Sequence, residues 1–137
     1  MRWLLDTNVV SELRRGSRAN AAVVEWFDDQ SVQSLFLSVV TLGEIRQGID
    51  QLRKREGRRA LELDRWLTGL GQFYEDRLLF VDEPIADEWG RLRARHSVPV
   101  VDGLIAATAR VHRLTVATRN VRDFSRLDVD VLNPFVT

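Results

Sequence analysis

The hydrophobic pattern of the chain alternates between short apolar runs and longer segments with helical spacing. Short runs bounded by polar or turn residues predict strands at residues 3–5, 34–38, 78–81, 114–118 and 129–132. Apolar residues at helical spacing predict helices at residues 9–15, 20–29, from 41 onward, 58–73, 82–94 and 98–109. Because strands and helices alternate throughout, we expect an α/β fold, a three-layer α/β/α sandwich with a mostly parallel central sheet.

Length and composition indicate a single domain spanning residues 1–137. With 137 residues, of which 45% are hydrophobic, the chain can bury one core without disulfides or metals to support it. No linker, repeat or low-complexity segment suggests a second domain. The long helix that opens at Thr41 is interrupted at Gly57 and then resumes, so we predict a helical hairpin at about residues 41–73 with a charged outer face.

Composition also limits the chemistry that the chain can support. The absence of cysteine removes disulfides, thiolate nucleophiles and thiolate metal sites. Neither His96 nor His112 has a second histidine at ligand spacing, so a zinc site is not expected. No apolar run approaches the roughly 18 residues of a membrane span, and we expect a cytoplasmic protein without membrane association. Carboxylates remain as the candidate metal ligands.

The first candidate is Asp6, which ends the apolar run of residues 3–5. In an open α/β sheet the carboxyl end of a strand is the usual place for a ligand. Asp6 or Thr7 can instead cap the following helix, because both residue types are favoured N-caps. Glu44 has a similar alternative, since it follows Thr41 by three residues, which is the spacing of a capping box.

Asp102 lies in the predicted helix at residues 98–109, whose other members are almost all apolar or small. An ionised carboxylate on such a helix must be paired or bound to a metal, unless it lies in the first turn, where the helix dipole favours it. Asp123 follows Asn120 by three residues, where a cap or turn role is the alternative. Each of the acids therefore has a local explanation.

Local explanations do not account for the joint placement of the acids. Asp6 and Asp123 follow predicted strands, whereas Glu44 and Asp102 fall in the first turns of predicted helices, so all four can reach one crevice above a parallel sheet. Four carboxylates would repel one another there without a hard divalent cation, Mg²⁺ or Mn²⁺. Such a site suits hydrolysis of a phosphodiester. Four polar residues are expected to orient the acids, water or phosphate: Thr7, Asn8, Thr118 and Asn120.

Four ordered motifs together resemble those of a known family. They are Leu-Leu-Asp-Thr-Asn at Asp6, Thr-Leu-Gly-Glu-Ile-Arg-Gln-Gly at Glu44, Val-Asp-Gly-Leu-Ile-Ala-Ala-Thr-Ala at Asp102 and Val-Ala-Thr-Arg-Asn-Val-Arg-Asp-Phe at Asp123. From residue 2 to residue 133 the chain resembles PIN domains, and among them toxins of the VapC and FitB type. The resemblance implies a Mg²⁺- or Mn²⁺-dependent ribonuclease that forms a homodimer. It also implies an antitoxin whose C-terminal segment lies across the active-site groove, giving a toxin–antitoxin hetero-oligomer.

The resemblance implies a role for each matching residue. The acidic quartet corresponds to Asp6, Glu44, Asp102 and Asp123, and its polar helpers correspond to Thr118 and Asn120. The first and third acids are expected to contact the metal directly, and the second and fourth to act through water. The helical hairpin is expected to contribute to the antitoxin groove. The basic cluster at residues 53–59 is open to three interpretations: a guide for RNA phosphates, a partner for acidic groups of the antitoxin, or an exposed charged turn.

Two other functions compete with this interpretation. A phosphatase of the haloacid dehalogenase type also begins with an apolar strand ending in Asp, but it usually needs a second Asp two residues later and a lysine. Position 8 is Asn, and the only lysine is Lys54 in the charged run. A catalytically silent PIN-like binding or scaffold module is the stronger competitor. An intact acidic quartet argues against such degeneration without establishing turnover.

Overall fold

A computed structural model describes residues 1–136 of the chain, and within this range five strands form one sheet. The strands are β1 (Trp3–Leu5), β2 (Leu35–Ser38), β3 (Leu78–Leu79), β4 (Thr115–Ala117) and β5 (Val131–Leu132). Their order across the sheet is β3-β2-β1-β4-β5, and every neighbouring pair is parallel. The predicted parallel sheet is confirmed.

Seven α-helices connect and cover the strands within the described range. They are α1 (Thr7–Leu13), α2 (Ala21–Asp28), α3 (Val39–Arg53), α4 (Gly57–Phe73), α5 (Glu83–Arg95), α6 (Val100–His112) and α7 (Val121–Ser125). None of these helices is long and apolar enough to cross a membrane. The helical hairpin consists of α3 and α4, which pack against each other.

Two hydrophobic clusters lie on opposite faces of the sheet. Successive side chains of a strand point to opposite faces, so Leu5 joins the cluster beneath α1 to α4, whereas Leu4 joins the cluster beneath α5 to α7. The first cluster includes Val9 and Ile45, and the second includes Phe124. This arrangement confirms the predicted three-layer sandwich.

The structure corrects the predicted start of the long helix. The helix α3 begins at Val39, and the Ser38 hydroxyl oxygen caps it by accepting a hydrogen bond from Val40 N at 3.0 Å. Thr41 is therefore a buried residue inside the helix, and the capping box proposed for Glu44 is wrong. Glu44 lies in the second turn of α3 instead of the first. The chain turns directly from β2 into the helix, so residues 39 and 40, which were predicted to separate the strand from the helix, belong to the helix.

Two other predicted boundaries are also wrong. The third strand ends at Leu79, and the apolar residues Phe80 and Val81 that follow it are exposed. The first helix begins at Thr7 instead of Val9, because Asp6 occupies its N-cap position. Hydrophobic pattern alone does not separate a strand from the exposed apolar residues next to it.

The strand order determines where the functional residues meet. From β1 the chain crosses to β2 on one side, whereas β4 pairs with β1 on the other side, so the sheet changes direction between β1 and β4. Ligands of open α/β sheets bind at the carboxyl ends of strands at such a switch point. Leu5 lies opposite Ala117, which places the next residues, Asp6 and Thr118, side by side at this edge.

Candidate active site

Asp6 is buried at the carboxyl end of β1, and both of its carboxylate oxygens accept hydrogen bonds. Thr7 N donates to Oδ1 at 2.8 Å. Thr118 Oγ1 donates to Oδ2 at 2.8 Å, and Asn8 Nδ2 lies 3.3 Å from the same oxygen. Asp6 is the N-cap residue of α1, which is the alternative role predicted for it from the sequence. Capping uses only Oδ1, so the role leaves Oδ2 inside the crevice.

Thr118 and Asn8 connect the ends of β1 and β4. Thr118 is fully buried, and its Oγ1 accepts hydrogen bonds from Asn8 Nδ2 at 3.3 Å and from Asn120 N at 2.9 Å. Asn8 Oδ1 accepts a hydrogen bond from Arg119 N at 3.1 Å. The side chains of Thr118 and Asn8 therefore contact Asp6, as the sequence predicted, whereas Asn120 contacts Thr118 through its backbone N–H.

Glu44 reaches the same region through the side chain of Thr7. Thr7 Oγ1 donates a hydrogen bond to Glu44 Oε1 at 2.5 Å, and it lies 3.5 Å from Thr41 Oγ1. Glu44 is half-buried on α3, and its negative charge contributes to a raised pKa of Asp6. Thr7 therefore has one contact to each acid: its backbone N–H to Asp6 and its hydroxyl to Glu44.

Asp102 and Asp123 lie on the other side of Asp6. Asp102 is half-buried in the first turn of α6, and Asp123 is exposed in the first turn of α7. Burial raises the pKa of Asp102, and the negative charges of Asp6 and Asp123 raise it further, while the cationic Arg126 opposes them. The charges of Asp6 and Asp123 therefore oppose the ionisation of Asp102.

Burial is also the largest cause of the raised pKa of Asp6. The hydrogen bonds from Thr118 and Thr7 N lower this pKa, but they do not fully compensate for the desolvation. The ionised form of Asp6 is therefore only partly stabilised by its hydrogen bonds. A bound cation would relieve both the desolvation and the repulsion.

The donor set fits a hard divalent cation. Asp6 and Asp102 supply carboxylate oxygens, and hydroxyl and amide groups surround them. Within residues 1–136 no three acidic or histidine side chains converge into a complete set of metal ligands. Magnesium commonly takes one or two protein carboxylates and completes its coordination with water and substrate phosphate. Asp6 and Asp102 are therefore the candidate protein ligands for such an ion.

Arg53 and Arg59, at the two ends of the predicted basic cluster at residues 53–59, have different surroundings. Arg53 donates hydrogen bonds to Asp50 and Asp64, at 3.0 and 2.7 Å, and is therefore ion-paired within the hairpin. Arg59 instead lines a separate cavity of about 320 Å³. The other residues lining that cavity are Arg14, Arg15, Arg18, Glu62 and Leu63. The ion pairs of Arg53 partly neutralise the charge that this residue could offer to RNA or to the antitoxin.

Sequence reasoning missed Arg119 and Phe135 at the edge of the site. The guanidinium carbon of Arg119 lies 3.8 Å from the centre of the Phe135 ring. The Thr-Arg-Asn motif already placed Arg119 between two candidate residues, which was the available signal. Phe135 gave no such signal, because only the path of the chain after β5 brings it to the site.

Residues 3–130 match the family model of the PIN domain. The chain belongs to the PIN-domain family. It is 36% identical to a protein named toxin FitB from Neisseria gonorrhoeae, with 96% of this chain and 97% of the relative covered. It is 34% identical to a protein named VapC ribonuclease Y4jK from Sinorhizobium fredii, with 96% of each covered.

Two solved structures are similar to this chain over nearly its whole length. The crystal structure of FitAcB from Neisseria gonorrhoeae superposes with a TM-score of 0.89 at 36% identity, covering 98% of this chain and 99% of that one. A toxin–antitoxin complex from Klebsiella pneumoniae gives a TM-score of 0.67 at 26% identity, covering 96% of each chain. The family resemblance and the predicted fold class are therefore confirmed, whereas the metal and catalytic roles of individual residues stay predictions.

Proposed function

We propose that this chain is a divalent-metal-dependent endoribonuclease that acts as the toxin of a toxin–antitoxin pair. The observation that carries the proposal is the buried Asp6 carboxylate at the β1–β4 switch point, where Thr118 and Asn8 hold its Oδ2 atom. The reaction class is supported by relatives that are named toxin and ribonuclease and that are similar to this chain over nearly its whole length. An RNA substrate also implies a cytoplasmic location.

In this proposal Asp6 and Asp102 would hold Mg²⁺ or Mn²⁺, and Glu44 and Asp123 would act on the ion through water. The bound ion supplies a Lewis acid that lowers the pKa of a water molecule and neutralises charge on the phosphate. The residues of the chain fix the geometry. Thr118 holds Oδ2 of Asp6 in place, while the N-terminal end of α6 presents Asp102 beside it.

The remaining polar groups position the acids and the attacking water. Thr7 fixes the carboxylate of Glu44 by the hydrogen bond to Oε1, so this acid is oriented before any substrate binds. Asn8 holds the loop after β4 through Arg119 N, which keeps Thr118 and Asn120 at the edge of the crevice. Water then attacks phosphorus, and the P–O bond to the leaving oxygen breaks as that oxygen gains a proton.

An apolar groove supports the proposed antitoxin partner. The groove lies between α1, α2 and α4 and encloses about 130 Å³. Its apolar lining consists of Val10, Leu13, Phe27, Trp66, Leu70, Phe73 and Tyr74. Phe73 is 50% exposed, so the hairpin presents apolar surface as well as covering the sheet. We propose that the antitoxin occupies this apolar groove, in a complex that contains a homodimer of the toxin.

The test is cleavage of single-stranded and structured RNA with Mg²⁺, Mn²⁺ or EDTA. The variants Asp6→Asn and Asp102→Asn each remove one charge at the proposed metal, and each should lower the rate of metal-dependent cleavage at least about a hundredfold. Asp28→Asn is the matched control, because Asp28 is exposed in the last turn of α2, in the segment that leads to the start of β2. This control should cleave at the parent rate.

Two outcomes contradict the proposal. Cleavage that persists at the parent rate in Asp102→Asn means that the acidic site is not the active site. Metal binding by the parent protein without cleavage of any RNA favours the catalytically silent binding module. Thermal unfolding of each variant in EDTA confirms that lost cleavage does not reflect lost folding.

A further inference from the structure

Arg119 is a cationic residue whose backbone is joined to the hydrogen-bond network of Asp6. Its backbone N–H donates to Asn8 Oδ1 at 3.1 Å, and Asn8 Nδ2 in turn lies 3.3 Å from Asp6 Oδ2. The preceding residue, Thr118, donates to that same oxygen. The position of Arg119 is therefore coupled to the acid that is proposed to hold the metal.

The side chain of Arg119 does not pair with the acids beside it. Within residues 1–136 its guanidinium group makes no hydrogen bond and no ion pair, although the site is acidic. Arg126, whose charge acts on Asp102, behaves differently, because its NH2 group donates to the Ser97 carbonyl at 2.7 Å. Arg119 is exposed, so its hydrogen-bond donors are accessible to a ligand.

The ring of Phe135 holds the Arg119 guanidinium in place. The guanidinium carbon lies 3.8 Å from the ring centre, a shorter separation than in the other arginine–aromatic contacts, which span 4.9–6.0 Å. The ring packs against the cluster that contains Leu5, and Phe135 N donates to Asn133 Oδ1 at 2.9 Å. Stacking of the planar guanidinium on a fixed ring leaves its N–H groups pointing outward around the ring edge.

A pre-oriented guanidinium of this kind suits a phosphate. Its fork can donate two parallel hydrogen bonds to phosphate oxygens, which gives direction as well as charge. A nuclease with four carboxylates also repels its polyanionic substrate, so a cation at the rim of the site offsets that repulsion. In the proposed function an RNA phosphate comes to Asp6, and Arg119 is linked to Asp6 through Asn8, which favours RNA over an acidic protein segment as the ligand.

We propose that Arg119 binds a phosphate of the RNA chain next to the bond that is cut, and that Phe135 is the positioning residue for Arg119. The inference rests on the ribonuclease function proposed above and adds a substrate-binding residue to it. Arg119 makes its contact with the substrate backbone, so its contribution is independent of RNA sequence. Loss of this contact is expected to raise KM and to leave kcat nearly unchanged, because the contact does not involve the reacting bond.

The test measures kcat and KM for single-stranded RNA at several salt concentrations. In Arg119→Gln we expect KM to rise about tenfold with kcat within about twofold of the parent. The slope of log KM against log salt should fall by about 0.7, the value for one lost phosphate contact on a single strand. Arg119→Lys keeps the charge and should restore the slope, while KM recovers only in part because the bidentate fork is lost.

Two further variants separate positioning from charge. Phe135→Leu removes the stacking surface and keeps the cation, so KM should rise several-fold while the salt slope stays at the parent value. Arg113→Gln is the matched control, because Arg113 is exposed after α6 and precedes β4, at the opposite edge of the sheet. Its KM and salt slope should equal those of the parent. Melting temperatures of all four variants check that each is folded.

The inference is overturned if the parent cleaves RNA and Arg119→Gln matches Arg113→Gln in both KM and salt slope. It is also overturned if Arg119→Gln leaves RNA kinetics unchanged but weakens binding of the antitoxin protein, because Arg119 would then contact protein. If the parent cleaves no RNA, the ribonuclease function fails and the inference fails with it. Cleavage by the parent thus distinguishes the two failures.

Discussion

Replacing Thr118 by valine removes one hydroxyl from the acidic site and keeps the volume of the side chain. Thr118 Oγ1 donates its proton to Asp6 Oδ2 at 2.8 Å. Thr118 is 0% exposed and Asp6 is 7% exposed, so water does not readily replace this bond. A hydrogen bond to a charged group contributes about 1.5–3 kcal/mol to stability. We therefore expect Thr118→Val to lower the free energy of unfolding by about 2 kcal/mol at pH 8 in EDTA.

The expected loss is large enough to measure in two ways. A protein of 137 residues loses about 0.3 kcal/mol of stability per degree near its melting temperature, so the melting temperature should fall by about 7 °C. Urea unfolding should show a lower midpoint with an unchanged slope, because the surface exposed on unfolding does not change. Asn8 and Asn120 N also lose an acceptor, but both residues can reach water.

A double-mutant cycle with Asp6→Asn assigns the loss to the charged hydrogen bond. In the Asp6→Asn background the hydroxyl of Thr118 meets a neutral acceptor, so the same valine substitution should cost about half as much. An equal cost in both backgrounds would show that the contribution of Thr118 does not depend on the carboxylate. A loss below about 0.5 kcal/mol in the parent background would show that the hydrogen bond is not a significant source of stability.

Two further predictions follow from the charge at the site. The pKa values of Asp6 and Asp102 are raised in the folded protein, so their ionisation lowers stability as pH rises from about 4 through the folded pKa. In EDTA at pH 8, the free energy of urea unfolding of Asp102→Asn should therefore exceed that of the parent by up to about 1 kcal/mol, a value that allows for screening by water. This gain should disappear below about pH 4. A gain that does not vary with pH would contradict the reasoning. Excess Mg²⁺ should raise the melting temperature of the parent, with about 2.7 kcal/mol of stabilisation at a Mg²⁺ concentration of a hundred times Kd. This shift should vanish in Asp6→Asn. Equal shifts in both proteins would place the ion elsewhere.

The sequence allowed the layers of the fold to be predicted because the apolar runs and the helical segments alternate clearly. Helix starts were less predictable, as α3 illustrates. Ser38 and Thr41 are both good N-cap residues, and local pattern does not choose between them. The end of β2 decides the question, since Ser38 is the last residue of that strand and turns directly into the helix.

The candidate residues were predictable to different degrees. Asp6 was identified from its place after an apolar run, but its partners depend on the pairing of β1 with β4, which brings Thr118 to it across 112 positions of the chain. The contact between Arg119 and Phe135 depends on the turn after β5. No periodicity or spacing rule encodes such contacts, because they arise when two distant segments end at the same edge of the sheet.

Asp6 also shows that capping and functional roles need not exclude each other. A carboxylate that caps α1 through Oδ1 is held in one orientation, and this orientation directs Oδ2 toward Thr118 and the crevice. Burial makes that orientation stable against water, and the same burial raises the pKa of Asp6 and increases the benefit of a bound cation. The local interaction that begins the first helix is therefore what prepares the acid for the proposed metal.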